Sequence, residues 1–434
     1  MQIPLPTRPR PRPTRRALLS ALSGIGLLAL ISGCRPRAGR PTPGASPSPG
    51  ATATHTPRSQ PASAATVSPT ATRTLTPAGP GTPTPSATAS PAGTPTATPT
   101  LSPSPTPRPS ATPTPRPTPF PAGPPTKLGL FITRNDPRIF DLLRTGNIAL
   151  IKTMEYDPNF AVEIKRTSPR TLLVGRVDLP QLELGQMADP TAAARSLVEK
   201  LLPIVTESRR LAAFDGWEAY NEPTPADAGQ MARLAQFEAE RTRLLAAAGV
   251  RSVIGNFGVG LPDLALWPHF RPALEAAIQH RGFLGLHEYS APTMQFGTPQ
   301  DPLGWGNDPA QEGWLTLRYR KVYRGYLQPN GLSLPLLLTE AGIDGLVANR
   351  PGPAGKGWQD FAAYWAGLGM GDDAAGNYME QLAWYDAQLQ QDDYVLGAAI
   401  FAAAASPGWE SYEILGEDKV EPFLKQYLSV HPPR

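Results

Sequence analysis

Two glutamates sit where a pair of carboxyl groups can work on one bond. Glu222 lies in Gly216-Trp217-Glu218-Ala219-Tyr220-Asn221-Glu222-Pro223, and Glu340 lies in Leu336-Leu337-Leu338-Thr339-Glu340-Ala341-Gly342. Each follows an apolar run that reads as a buried strand. Two carboxyls about 5–5.5 Å apart can divide the work at a sugar–oxygen bond, one as nucleophile and one as acid/base. Their mutual repulsion and burial raise the proton affinity of one, which suits it to protonate a leaving oxygen. A third carboxylate, Glu288, lies in Leu286-His287-Glu288-Tyr289. If His287 and Tyr289 point inward, strand alternation sends Glu288 to the helix layer. Less specialised roles exist for both glutamates. Glu222 beside Pro223 also suits a helix N-terminus, and Glu340 taken alone suits a rim salt bridge equally well.

The elements that must position these groups are eight strand-like runs: Leu128–Ile132, Ile148–Lys152, Leu172–Val177, Phe214–Tyr220, Val253–Phe257, Phe283–His287, Leu334–Thr339 and Val395–Phe401. Helical patterns fall between them. Asp136-Pro137 and Asp189-Pro190 each offer an N-cap followed by proline at N1. Ala226–Ala248 ends at Gly249, a C-cap signal, and Leu264–His280 and Asn377–Gln391 are further amphipathic segments. This alternation predicts an α/β fold, a (β/α)8 TIM barrel. A doubly wound sheet is the competing arrangement, but Ile132-Thr133-Arg134-Asn135-Asp136 is not the glycine-rich loop that it would want after its first strand. In a barrel the reactive groups occupy C-terminal strand ends, and the fourth and seventh strands lie across the mouth from one another.

Asn221-Glu222-Pro223 after the fourth strand, His287-x-Tyr289 on the sixth and Glu340 after the seventh together resemble the clan A glycoside hydrolases, the cellulase-like TIM-barrel family. The resemblance spans about Lys127 to Leu428. It implies that Glu222 is the acid/base, Glu340 the nucleophile, Asn221 a ligand of the sugar 2-hydroxyl, and Tyr289 the hydroxyl that orients the nucleophile. Two positions depart from the family pattern. Phe401 stands at the end of the eighth strand, where many members place a sugar-stacking Trp, with Trp409 in the following loop as a substitute. Lys152 and Arg176 are stand-ins for an arginine that many members hold near the nucleophile. Of the tryptophans in the later segments (Trp305, Trp314, Trp358, Trp365 and Trp409), Trp409 is expected to line the cleft with Tyr289, whereas Trp365 and Trp384 also fit helix cores.

The chain has 434 residues and 54 prolines, most of them before residue 126. Residues 8–16 are rich in arginine, Ala17–Ile31 is apolar, and Ile31-Ser32-Gly33-Cys34 follows. This is the layout of an export signal, too short for a comfortable membrane span. Ile31-Ser32-Gly33-Cys34 resembles the bacterial lipobox, which implies lipidation of Cys34, and Arg15-Arg16 carries a weak twin-arginine signal. Residues 1–33 are therefore expected to be a lipoprotein signal peptide. Residues 34–125 are expected to be a disordered Pro/Thr/Ser-rich stalk, unable to bury enough apolar area to offset chain entropy. Residues 126–434 form the expected barrel domain. Cys34 is the single cysteine, so no intrachain disulfide or cysteine metal site is available.

Charge excludes a further class of partner. The formal net charge of +4 includes Arg8, Arg10, Arg12, Arg15 and Arg16, and removing those five gives −1 for the remaining chain. That balance leaves no electrostatic footprint for nucleic acid. No Gly-x-Ser-x-Gly elbow appears. Neither a cofactor nor a metal is expected, since the five histidines show no local metal-ligand spacing.

Two functions fit these residues. One is a retaining glycosidase that cleaves O-glycosidic bonds of an extracellular β-linked polysaccharide or oligosaccharide. The other is a non-catalytic carbohydrate- or cell-wall-binding surface lipoprotein on the same fold. Either would sit as a monomer on the extracellular face of the bacterial membrane, held by the lipid anchor. Sugar, linkage and endo or exo action are set by loops.

Overall fold

The computed structural model describes residues 119–304 and 312–433. The expected signal peptide, Cys34, the stalk up to residue 118 and Trp305 lie outside the described residues. Among the described residues no helix is long and apolar enough to cross a membrane.

Eight strands alternate with helices along the chain: β1 (Leu128–Ile132), β2 (Leu150–Thr153), β3 (Leu172–Gly175), β4 (Gly216–Trp217), β5 (Val253–Phe257), β6 (Phe283–Ser290), β7 (Leu336–Ile343) and β8 (Val395–Ala403). All pair in parallel, in the order β4-β3-β2-β1-β8-β7-β6-β5. A parallel bridge between Trp217 and Ser252, with the Trp217 amide donating to Arg251 O at 3.0 Å, joins β4 to the start of β5 and closes the ring. The chain is a (β/α)8 barrel, the architecture that its alternating pattern predicts.

The helices start where the sequence offers a cap. Asp189 accepts from the Ala192 amide at 3.0 Å to open α3 (Pro190–Val205), and Asp227 caps α5 (Ala228–Ala247). Asp157-Pro158 opens another helix, α2 (Pro158–Thr167), by the same device. Asp136 behaves differently. Its side chain bonds Arg138, and the short helix α1 (Ile139–Leu143) begins beyond the expected N1 position of Pro137. The segment expected to be one helix over Leu264–His280 is a 3₁₀ turn, Leu264–Phe270, followed by α6 (Arg271–Gln279). Pro268 and Pro272 remove the amides that a continuous helix would use.

Two apolar cores follow from strand alternation. Outward residues such as Leu130, Leu284, Leu286 and Leu338 pack against the helices. Inward residues, including Leu150, Val174, Phe283 and Leu337, fill the barrel. Glu288, outward on β6, is buried in the first layer. It accepts from the amides of Leu317 at 2.9 Å and Tyr319 at 3.0 Å and from the Tyr385 hydroxyl at 2.8 Å. It thereby ties the return of the long β6–β7 connection and α9 (Ala374–Leu389) to the strand that carries His287 and Tyr289.

Burial pushes the Glu288 carboxyl up to about 7, against the donors that face it. A carboxyl raised in the folded state keeps its proton while the unfolded chain loses it, so stability falls as pH rises from 4.5 to about 7 and is level above. At about 1.4 kcal/mol per unit this loss is on the order of 3 kcal/mol. Urea midpoints between pH 5 and 8 should show that slope in the parent protein and a shallower one in Glu288→Gln. Parallel pH profiles would contradict the assignment.

Candidate active site

The floor of the barrel mouth is built around one buried ammonium. Lys152 alternates inward from β2 with Leu150, and its side chain is fully buried. Its Nζ lies 2.7 Å from Glu340 Oε1 and 3.0 Å from Glu218 Oε2. A buried ion is costly unless opposite charge meets it, and the carboxylates of Glu340 on β7 and Glu218 beyond β4 do so here. Glu218 follows β4 and faces inward.

Glu340 reaches the interior through an irregularity. On β7, Leu337 faces the interior and Leu338 the helices. Strict alternation would turn Thr339 inward and Glu340 outward. Instead the β6–β7 register shifts, so that Leu286 pairs with Leu338 but His287 pairs with Glu340. The extra residue re-aims the carboxylate toward the mouth, as bulges beside active sites do. There Glu340 Oε2 accepts from the Tyr289 hydroxyl at 2.7 Å. Burial alone would raise the proton affinity of Glu340, but His287, Lys152 and Arg176 outweigh it and hold the carboxyl well below the usual range. Glu340 is thus a fixed anion. Burial and the neighbouring Glu340 raise the Tyr289 hydroxyl well above its ordinary value, so it stays a donor.

Glu222 is held by its backbone. Its φ of 42° lies in the left-handed region, which a non-glycine residue occupies at a cost. Its amide donates to Asn256 O at 3.1 Å and its carbonyl accepts from Gln181 Nε2 at 3.3 Å. The carboxyl reaches over the cleft and lies 2.8 Å from His287 Nδ1. Gly258 makes room for it, since a Cβ there would meet Glu222 Cδ at 3.0 Å. His287 Nδ1 also lies 3.6 Å from Glu340 Oε2. The three side chains bring one ligand-type atom each within 4.8 Å of one another. The side chain of Glu222 is 37% exposed against 8% for Glu340, so one carboxylate faces the open cleft and the other is sealed beneath it.

Each residue expected at the site lies at the mouth. Asn221 accepts a hydrogen bond from Arg176, which also contacts Met154 Sδ at 3.2 Å. Of the two stand-ins for the family arginine, Lys152 is the one bonded to Glu340. Phe401 forms part of the cleft wall, 4.9 Å from the Phe131 ring and edge-on to Tyr289, Trp409 and Tyr412. Trp409 is 39% exposed at the rim of this cluster, in a cleft of about 510 Å³. Trp358 and Trp365 are buried core, and Trp314 is exposed beneath Lys321. Glu218 and Asp344 carry no role in the sequence-based assignment. A lysine in an apolar strand signals the need for a partner such as Glu218. Asp344, bonded to the Tyr412 hydroxyl at 2.7 Å, has no comparable signal.

The cluster of Glu222, His287 and Glu340 offers ligand atoms from three strands, which no local spacing announces. Lys152 already occupies the charge-neutralising position beside Glu340, so the arrangement is better suited to covalent and proton-transfer chemistry than to binding a cation. Lys152→Met leaves Glu218 and Glu340 buried without their shared counter-charge. It should cost about 3–5 kcal/mol in urea unfolding, and the double variant Lys152→Met/Glu218→Gln should recover part of that loss. A single variant as stable as the parent would refute the pairing.

No family model matches the sequence, and no curated protein matches it. Among solved structures, a GH128 subgroup II endo-β-1,3-glucanase from Sorangium cellulosum is similar at 17% identity and a TM-score of 0.41, covering 71% of this chain and 100% of that one. A second such enzyme, from Pseudomonas viridiflava, is similar at 15% identity and a TM-score of 0.37, covering 70% and 97%. A β-D-glucuronidase from Dictyoglomus thermophilum is similar at 12% identity and a TM-score of 0.44, covering 70% and 50%. At these scores the likeness decides nothing about function; the barrel assignment stands on the chain's own strand order.

Proposed function

We propose that the chain is a retaining glycoside hydrolase that cleaves O-glycosidic bonds of an extracellular β-linked polysaccharide or oligosaccharide by double displacement. The observation that carries this reading is the unequal setting of two adjacent carboxylates. Glu340 is buried and held as an anion by Lys152, while Glu222 stands within 4.8 Å of it and faces the cleft. That division suits a nucleophile and an acid/base. Glu340 attacks the anomeric carbon, and Glu222 protonates the departing oxygen. Glu222 then takes a proton from the water that releases the sugar from Glu340. Tyr289 aligns the nucleophile, and His287 bridges the two carboxylates. Asn221 is placed to hold a sugar hydroxyl, and Trp409 to stack on a ring.

The remaining parts of the proposal follow from the sequence. Residues 1–33 direct export, Cys34 carries the lipid anchor, and the stretch expected as a stalk over residues 34–125 acts as a spacer for a monomeric domain on the outer face of the cell membrane. The spacer ends before Phe120, whose amide donates to Gln426 and whose ring packs on Tyr427. A purely binding protein on this fold has no use for an ionised glutamate clamped beside a second carboxyl, which favours catalysis over the non-catalytic alternative.

The test is a panel of aryl glycosides and β-glucans. Glu340→Gln should abolish turnover of every substrate that the parent cleaves. Glu222→Gln should lower kcat by roughly 10²–10⁴-fold on polysaccharide and by less on activated aryl glycosides, which need little protonation. Activity that survives both changes would rule the assignment out. Because its partners hold the Glu340 carboxyl low, the acid limb of kcat/KM should lie below the ordinary carboxylate range. Gly258→Ala, which crowds the Glu222 carboxyl, should lower kcat by about 10- to 100-fold.

A further inference from the structure

The cleft is not symmetrical about its two glutamates. One half, of about 510 Å³, is lined by Phe131, Phe401, Trp409 and Tyr412 together with Asn221 and Glu340. An adjoining half, of about 410 Å³, is lined by Gln181, Thr224, Gly258, Val259, Leu261 and Val347. Glu222, Tyr289, Asp344 and Leu346 border both halves. Glu340 borders the aromatic half alone.

This arrangement gives the cleft a direction, provided that the glycosidase reading holds. In the first step a bond forms between the anomeric carbon and a Glu340 oxygen, so the sugar that becomes attached must occupy the half where Glu340 is exposed. The bond that breaks sends its electron pair to the leaving oxygen, and the proton comes from Glu222. The departing group must therefore lie where Glu222 reaches and Glu340 does not. In the second step water, or an acceptor hydroxyl from that same place, gives its proton to Glu222 and displaces Glu340.

We propose that Gln181, Thr224, Val259 and Leu261 form the leaving-group subsite, and that its occupant is a further sugar unit of an uncharged chain. Two features specify that occupant. Among the described residues, the side chains that belong to this half alone are amide, hydroxyl and aliphatic, with no cation among them. The acidic groups that border it, Glu222 and Asp344, offer no counter-charge to an anionic unit, and the Arg318 guanidinium behind it donates to the carbonyls of Leu261 and Pro262. Leu261, 40% exposed, and Leu346, 59% exposed, offer apolar surface to the ring face, while Gln181 and Thr224 offer hydrogen bonds to its hydroxyls.

A glycosyl fluoride separates this subsite from the rest of the cleft, because fluoride fills no sugar subsite and leaves with little protonation. Thr224→Ala and Leu261→Ala should lower kcat/KM for cello- or laminari-oligosaccharides at least about tenfold more than for β-glucosyl fluoride. Trp409→Ala should lower both to a similar extent. The same two subsite variants should reduce the ratio of transfer to hydrolysis when an oligosaccharide acceptor intercepts the glycosyl-enzyme. Equal losses on both substrates, or a selective loss on oligosaccharide in Trp409→Ala alone, would overturn the direction assigned to the cleft. A parent enzyme inert on both substrates and on the wider panel would instead overturn the glycosidase reading, and this assignment with it.

Discussion

The ammonium of Lys152, buried between Glu218 and Glu340, sets the terms for the rest of the mouth. Removing one charge from water costs several kcal/mol, and three charged groups meet here with almost no solvent. The cluster is tolerable only because its members are mutually compensating and fixed on separate strands of a closed ring. Its consequence for chemistry is direct. Glu340 has the Lys152 amino group on one oxygen and a phenol donor on the other, so its ionised form is the stable one. The second carboxylate, Glu222, touches neither Lys152 nor Tyr289 in this way. Its carboxyl contacts His287 and faces the open cleft.

Two backbone irregularities turn that electrostatic arrangement into a working geometry. The register shift on β7 rotates Glu340 from the helix layer into the barrel. The left-handed conformation at Glu222, beyond the end of β4, swings its side chain over the cleft. Each is a local departure from regular structure at the place where the chemistry is proposed. On the neighbouring strand β6, Glu288 gathers the long connection and α9 onto the segment that carries His287 and Tyr289. The barrel is closed around Glu340 and open beside Glu222.

The strand pattern was legible because buried parallel strands are apolar throughout. The runs at Leu128–Ile132 and Val253–Phe257 coincide with β1 and β5. The fourth strand is shorter than its run over Phe214–Tyr220, because the chain leaves the ladder after Trp217 to deliver Glu222. The site residues were legible as motifs, but their geometry was not. Counting alternation from Leu337 places Glu340 on the wrong face, and only the extra residue at the bulge corrects it. Glu218 stands beside Trp217 in the run that leads to Glu222, yet its role appears only when Lys152 is seen across the barrel. The aromatic wall that surrounds Phe401 joins residues from three strand ends and a loop, a proximity that no single segment encodes.

The most direct test of the central claim is to look for the covalent bond itself. Mass spectrometry of the whole protein after incubation with 2-deoxy-2-fluoro-glycosyl fluorides, followed by peptide mapping, reads it without any assumption about the natural substrate. The account predicts one added sugar per chain, on the peptide that contains Glu340. An adduct on Glu222, or turnover of the same sugars with no adduct on Glu340, would contradict it.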